Sequence, residues 1–221
     1  MDIQTWMADY TQAVLAAFFG RVRFIGLQGS RGRGEGREDS DIDAVLILDR
    51  LAPEDLAAYD ALLDTLPHRG LTCGFTAGME ELAAWEKYDL FQLICDTTPY
   101  YGTLDALLAT ITRADVRRAM RVGAGNIYHM CVHNRLHGKK PRTAARLYKE
   151  AVFVLQAKAW LETGTYARRL ETLLPLLSGE DAAVAGMAQA VRRGGEVELH
   201  AATAQLMRWA SAQLAYASMT D

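Results

Sequence analysis

Leu27-Gln28-Gly29-Ser30-Arg31-Gly32-Arg33-Gly34-Glu35-Gly36-Arg37-Glu38-Asp39-Ser40-Asp41-Ile42-Asp43-Ala44-Val45-Leu46-Ile47-Leu48-Asp49 decides how the rest of the chain is read. One apolar run ends at a glycine-serine step, a glycine-rich polar loop follows, and a second apolar run opens with two aspartates one residue apart. Side chains alternate faces along a strand, so Asp41 and Asp43 project to one side while Ile42 and Ala44 point to the other. Two carboxylates facing one way at the start of a buried strand are costly without a cation or another partner. Held this way they can share a divalent ion, and magnesium in particular takes one or two protein carboxylates together with substrate phosphates. The competing reading is an ordinary glycine-rich hairpin whose aspartates solvate a strand end.

Working outward, residues 3 to 19 place Ile3, Trp6, Met7, Tyr10, Val14, Leu15 and Phe18 at three- and four-residue intervals, which predicts an amphipathic helix stopped at Gly20. Val22 to Leu27 and Asp41 to Leu48 read as strands, the second of the kind buried on both faces. Pro53 opens a helix through Leu66 with Leu56, Tyr59, Leu62 and Leu63 on its buried side. Leu71 to Ala77 reads as a third strand, Met79 to Trp85 as a short helix, and Asp89 to Cys95 as a fourth strand. Thr97 to Gly102 is a turn-rich break. Beyond Thr103 only helical periodicity is found, punctuated by glycine and proline, which predicts a bundle of four or five helices. The fold class is α+β, with a small mixed sheet and flanking helices over residues 1–108 and an all-α bundle over residues 109–221.

Half of the residues are hydrophobic, enough to fill a packed core and exclude disorder. A formal net charge of -3 argues against an extended duplex-binding surface, which needs many Lys and Arg against the phosphates. The three cysteines are widely spaced and form no CxxC pair, so neither a disulfide framework nor a thiolate zinc site is indicated. No secretion signal or membrane-spanning run is found, and a cytoplasmic location is the default.

Gly-Ser, ten intervening residues and Asp-Ile-Asp-Ala resemble the signature of the DNA polymerase β-like nucleotidyltransferases. Gly34 adds a likeness to the small-molecule (aminoglycoside- and lincosamide-type) and antitoxin-type members, where Gly32 here replaces an alanine and Gln28 an apolar residue. The resemblance implies nucleotide binding at Gly29, Ser30, Arg31 and Gly34, and magnesium at Asp41 and Asp43, with two ions expected. It also implies a third carboxylate on the next strand, and Leu71 to Ala77 has none. Asp96 is the best substitute as metal ligand or base; its other reading is an Asp capping a turn. Glu80 and Glu81 rank lower, since a helix start favours acids anyway.

In related antibiotic-modifying enzymes the helical domain closes over the nucleotide. By that likeness Lys149 is a candidate phosphate cation beside Arg146 and Glu150, and the active site is expected in an interdomain cleft. His129, His133 and His137 share one helical stripe, open to readings as zinc ligands, substrate contacts, packing or capping. Tyr100 and Tyr101 either stack on a ligand ring or pack structurally. Residues 196 to 216 read as a terminal bundle helix that also suits a homodimer seam.

The resemblance thus implies an enzyme that moves AMP from ATP, or another NMP from its triphosphate, to a hydroxyl of a small molecule such as an antibiotic, releasing pyrophosphate. An antitoxin-type enzyme that adenylylates a protein partner and a catalytically silent nucleotide-binding module are the rivals.

Overall fold

Residues 42–48 form the second strand of a four-stranded sheet in the computed structural model of the protein, which describes residues 1–218. Contacts divide the chain into two compact units, Met1–Thr110 and Ile111–Asp221. The first contains α1 (Ile3–Ala17), β1 (Val22–Leu27), α2 (Gly29–Gly32), β2 (Ile42–Leu48), α3 (Pro53–Asp64), β3 (Thr72–Gly78), α4 (Met79–Ala84), α5 (Lys87–Cys95), β4 (Thr98–Gly102) and α6 (Asp105–Leu108). The sheet order is β3-β2-β1-β4, with β1 antiparallel to both neighbours and β2 parallel to β3.

Period two assigns the two faces of this sheet. Ile42, Ala44, Leu46 and Leu48 of β2 join Ile25 and Leu27 of β1 in a core with Trp6, Met7, Tyr10 and Val14 of α1 and Leu62 and Leu63 of α3. The intervening positions Asp43, Val45 and Ile47 belong to the opposite face, where Val45 and Ile47 are also buried. The α1 face carries a polar tie: the Tyr10 and Tyr59 hydroxyls lie 2.7 Å apart. Asp2 caps α1 by accepting the Gln4 N–H at 3.0 Å.

Two expected elements differ. Asp89 to Cys95 is helical, not a strand: Leu90, Phe91 and Ile94 fall on one helical face, and Leu90 and Phe91 are buried. The fourth strand is instead the stretch read as a break, Thr98–Gly102. There Pro99 is tolerated because β4 lies at the edge of the sheet, where a missing N–H need not interrupt a ladder on both sides. Leu56, expected on the buried side of α3, is 50% exposed.

The second unit is helical: α7 (Arg113–His133), α8 (Pro141–Thr163), α9 (Leu170–Leu173), α10 (Gly179–Arg192) and α11 (Leu199–Ser218). Thr112 and Asp115 form a reciprocal cap at the start of α7. The helix expected to run to His137 ends at His133 and passes into a π turn over Asn134–Gly138. The buried Asn134 side chain holds that turn, donating to the Lys140 carbonyl at 3.0 Å and accepting the Lys140 N–H at 3.1 Å. Asp181 of α10 gathers Lys158 of α8 with Trp209 and Gln213 of α11. No helix among the described residues is long and apolar enough to cross a membrane.

Leu46→Ala should destabilise the protein by about 2–5 kcal/mol by opening a cavity between the sheet and α1. Leu56→Ala should change stability by no more than about 0.5 kcal/mol. Urea denaturation of the two variants distinguishes the buried site from the exposed one.

Candidate functional site

Asp43 is the second residue of β2 and is partly buried, while Asp41 lies two residues earlier and is exposed. The Asp43 carboxyl is held above the ordinary carboxylate range, first by burial, then by the negative charge of Asp41, with the Arg33 guanidinium pulling the other way. Two neighbouring carboxylates, one of them held back from ionising, are a donor set of hard oxygens suited to a divalent cation.

The glycine-serine step is built onto this pair. Gln28 donates its N–H to the Asp43 carbonyl at 2.9 Å, and the chain then turns sharply at Gly29, whose φ is +66°. A Cβ at Gly29 would run into the Asp43 carboxylate. Glycine is therefore required there for its backbone conformation and for its close approach. Ser30 follows in the single turn of α2, and Gly34, with φ of +72°, reverses the chain again.

Arg31, expected at the nucleotide, is turned inward. Its side chain is buried, and its guanidinium donates to the Ser40 carbonyl at 2.8 and 3.0 Å and to the Glu38 carbonyl at 3.0 Å. It braces the far end of the loop against its start and so fixes where Asp41 begins. The cation whose charge acts on Asp43 is Arg33, which the sequence reading passed over. Arg33 Nη1 lies 2.7 Å from Asp96 Oδ2 and its Nε 3.1 Å from Glu35 Oε2. Both members of the Arg33–Asp96 pair are largely withdrawn from water, with side-chain exposures of 10% and 6%.

Asp96 does not close a strand. It caps the C-terminus of α5, where its N–H donates to the Gln92 carbonyl at 2.9 Å. Gln28 Nε2 donates to the Leu93 carbonyl at 3.1 Å and Thr98 Oγ1 to the Gly32 carbonyl at 2.8 Å, so the end of α5 and the start of β4 are stitched to the loop. Through Arg33, Asp96 is thereby brought into the same locality as Asp41, Asp43 and Gly29. The position opposite Asp43 on β3 is Cys73, an exposed thiol, and the strand contributes no carboxylate.

Lys149 is exposed on α8 of the second unit, in a hollow it shares with Lys140, Arg142, Thr143 and Arg146, and Arg146 pairs with Glu150 at 3.1 Å. His129, His133 and His137 are all exposed, with ring centroids 6.3 and 5.1 Å apart along the stripe. Among the described residues no group of three or more His, Cys, Asp or Glu side chains is arranged to hold a metal ion. Tyr100 donates to Gln4 Oε1 at 3.0 Å and packs beside the α1 core.

Residues 14–101 match the family model of the nucleotidyltransferase domain. Among solved structures, the chain is similar to a spectinomycin adenyltransferase from Enterococcus faecialis, determined with ATP and spectinomycin. The TM-score is 0.57 at 12% identity, covering 96% of this chain and 99% of that one. A nucleotidyltransferase-like protein from Exiguobacterium sibiricum is matched with a TM-score of 0.37 at 12% identity, over 96% of this chain and 78% of the other. No curated protein matches the chain by sequence.

Arg33→Met would leave the buried Asp96 carboxylate without its guanidinium, and should cost on the order of 3 kcal/mol. Adding Asp96→Leu should recover most of that loss, because the second charge is then removed as well. Guanidinium denaturation of the two single variants and the double variant measures this coupling.

Proposed function

We propose that this chain, whose residues 14–101 match the nucleotidyltransferase domain model, transfers an NMP group from a nucleoside triphosphate, with ATP as the first donor, to a hydroxyl of a small molecule. The observation that carries the reading is the packing of Gly29 directly on the Asp43 carboxylate, with Asp41 alongside. That arrangement unites a backbone turn suited to phosphate oxygens with a carboxylate pair suited to a cation, at one end of one strand.

Asp41 and Asp43 would hold a divalent ion, magnesium by the hardness of the donors, with a second ion expected beside it. Such an ion, when bound, neutralises charge at the α-phosphate and helps hold attacking and leaving oxygens in line. The chain's own groups then have separate duties. Gly29 and Ser30 present backbone and hydroxyl donors to the phosphates, and Gly34 keeps the turn open. Arg31 holds the loop closed from within. Arg33 is a cation beside the phosphate path, oriented by Asp96 and Glu35. Asp96 remains the candidate third carboxylate or base; its ion pair favours a role in which it sets the position of Arg33 and the local field. Lys149 is the candidate phosphate cation of the second unit.

The balanced reaction is attack of an acceptor hydroxyl oxygen on the α-phosphorus, with cleavage of the bond to the bridging oxygen, departure of pyrophosphate and loss of the hydroxyl proton. Antibiotics of the aminoglycoside and lincosamide kinds are the first acceptors to try, since the structural neighbour from Enterococcus was determined with ATP and spectinomycin. The absence of a carboxylate on β3 motivates a second reading, a module that binds nucleotide without turnover.

With magnesium, α-labelled ATP and a panel of hydroxylated acceptors, the wild type should yield labelled product and pyrophosphate. Asp41→Asn, Asp43→Asn and Gly29→Ala should each lower the rate by about 10³-fold, equivalent to roughly 4 kcal/mol of lost stabilisation. Unchanged transfer in Asp43→Asn would overturn the site. Tight magnesium-dependent ATP binding without transfer to any acceptor, a protein partner included, would establish the silent module.

A further inference from the structure

A residue on the Asp43 face of the sheet, Phe75, also lines an apolar cavity. In the parallel register Asp43 faces Cys73, and Phe75, opposite Val45, lies two residues further on the same face. Phe75 stands about 7 Å along the strand from the level of Asp43 and one strand to the side. Its ring meets Trp85 edge-on, with centroids 5.5 Å apart. Together with Leu90, Leu93 and Asp89 of α5 these rings line a cavity of about 240 Å³.

Volume and chemistry limit what fits. The cavity is smaller than the roughly 300–1,000 Å³ of a site that engulfs a whole drug-sized ligand, so it takes one ring or branched alkyl group. Phe75, Trp85, Leu90 and Leu93 offer no side-chain acceptor to a ring hydroxyl, and Trp85 only an N–H donor. A polyhydroxylated ring placed there would therefore lose hydration without replacing its hydrogen bonds. The polar exception is Asp89, a lone carboxylate. Trp85, 43% exposed, presents indole surface at the opening, and a cation is attracted both to an indole face and to a carboxylate. The neighbouring Lys87 is turned elsewhere, donating to the Thr110 carbonyl at 2.9 Å.

We propose that this cavity is the subsite for the acceptor's body, which narrows the acceptors named above, away from the polyhydroxylated polyamines among them, to a hydroxylated molecule bearing one aryl or branched alkyl group and one cationic amine. The assignment as an acceptor subsite rests on the nucleotidyltransfer reading above. The separation along β3 lets a molecule anchored at Phe75 and Trp85 extend a hydroxyl toward the carboxylate pair. Phe75 and Trp85 hold the apolar body, and Asp89 pairs with the ammonium and selects for it.

The ligand class is tested on the full chain labelled with 5-fluorotryptophan, where Trp85→Phe identifies the Trp85 resonance among the four tryptophans. Without nucleotide or metal, phenethylamine should shift that resonance saturably and bind about 10-fold more tightly than uncharged 2-phenylethanol, with Asp89→Asn erasing most of the difference. The proposal is overturned if phenethylamine leaves the resonance unmoved, if 2-phenylethanol binds equally well, or if 2-deoxystreptamine or adenosine binds more tightly than phenethylamine. The acceptor role is read from transfer to 2-amino-1-phenylethanol: Asp89→Asn should raise KM about 10-fold with kcat within about threefold, and an unchanged KM overturns it. Absence of all transfer by the wild type, with phenethylamine binding intact, counts against nucleotidyltransfer and leaves the ligand class of the cavity standing.

Discussion

A partly buried carboxylate with a second one two residues away stands at the head of a strand, and the first unit is arranged around that difficulty. Burial and the charge of Asp41 both disfavour ionisation of Asp43, so a compensating positive charge must be close. Arg33 supplies one within the protein, and its own direction is set by the buried carboxylate of Asp96 at 2.7 Å. Acid, base and acid thus alternate from Asp43 through Arg33 to Asp96, the last of which lies 63 residues beyond Arg33. Gly29 can sit against this cluster because it has no side chain, and the φ of +66° it adopts is one that other residues resist.

The loop before β2 is rich in arginine and glycine, yet its two central arginines have opposite assignments. Arg31 is spent on the loop's own carbonyls, which have no strand or helix partner, and so substitutes for regular structure. Arg33 pairs with the Asp96 and Glu35 carboxylates instead. A segment that reads in sequence as one basic stretch is therefore one brace and one electrostatic element. The second unit uses a similar economy, with Asp181 satisfying an ammonium, an indole and an amide together between three helices.

What could be read from the sequence follows from how local each cause is. The β2 strand, its two faces and the turn at Gly29 were legible because strict alternation and a glycine-serine step are properties of a few adjacent residues. The helix at residues 87–95 was not, because a seven-residue apolar run with Leu90, Phe91, Leu93 and Ile94 satisfies strand and helix patterns alike until its neighbours are known. The strand at residues 98–102 was hidden by Pro99, whose tolerance depends on lying at the sheet edge, a fact of topology. Arg33 was missed for a related reason. Its importance comes from a partner 63 residues away, and no spacing rule marks such a pair. Leu56 fits the apolar stripe of α3, but exposure is set by where the stripe's edge meets the sheet.

The parallel pairing of β2 with β3 has a consequence for how such a protein can change over generations. A parallel pair needs a crossover, here α3, so the carboxylate pair and Phe75 of the neighbouring cavity are carried on separate strands entered from the same end. β3 is also an edge strand, free of ladder obligations on its outer side. Substitutions at Phe75 and Trp85 and on the exposed side of α5 can therefore reshape the cavity while the Gly29–Asp43 contact stays intact. Chemistry and selectivity are then separately heritable, and a lineage can acquire a new acceptor without first losing its reaction.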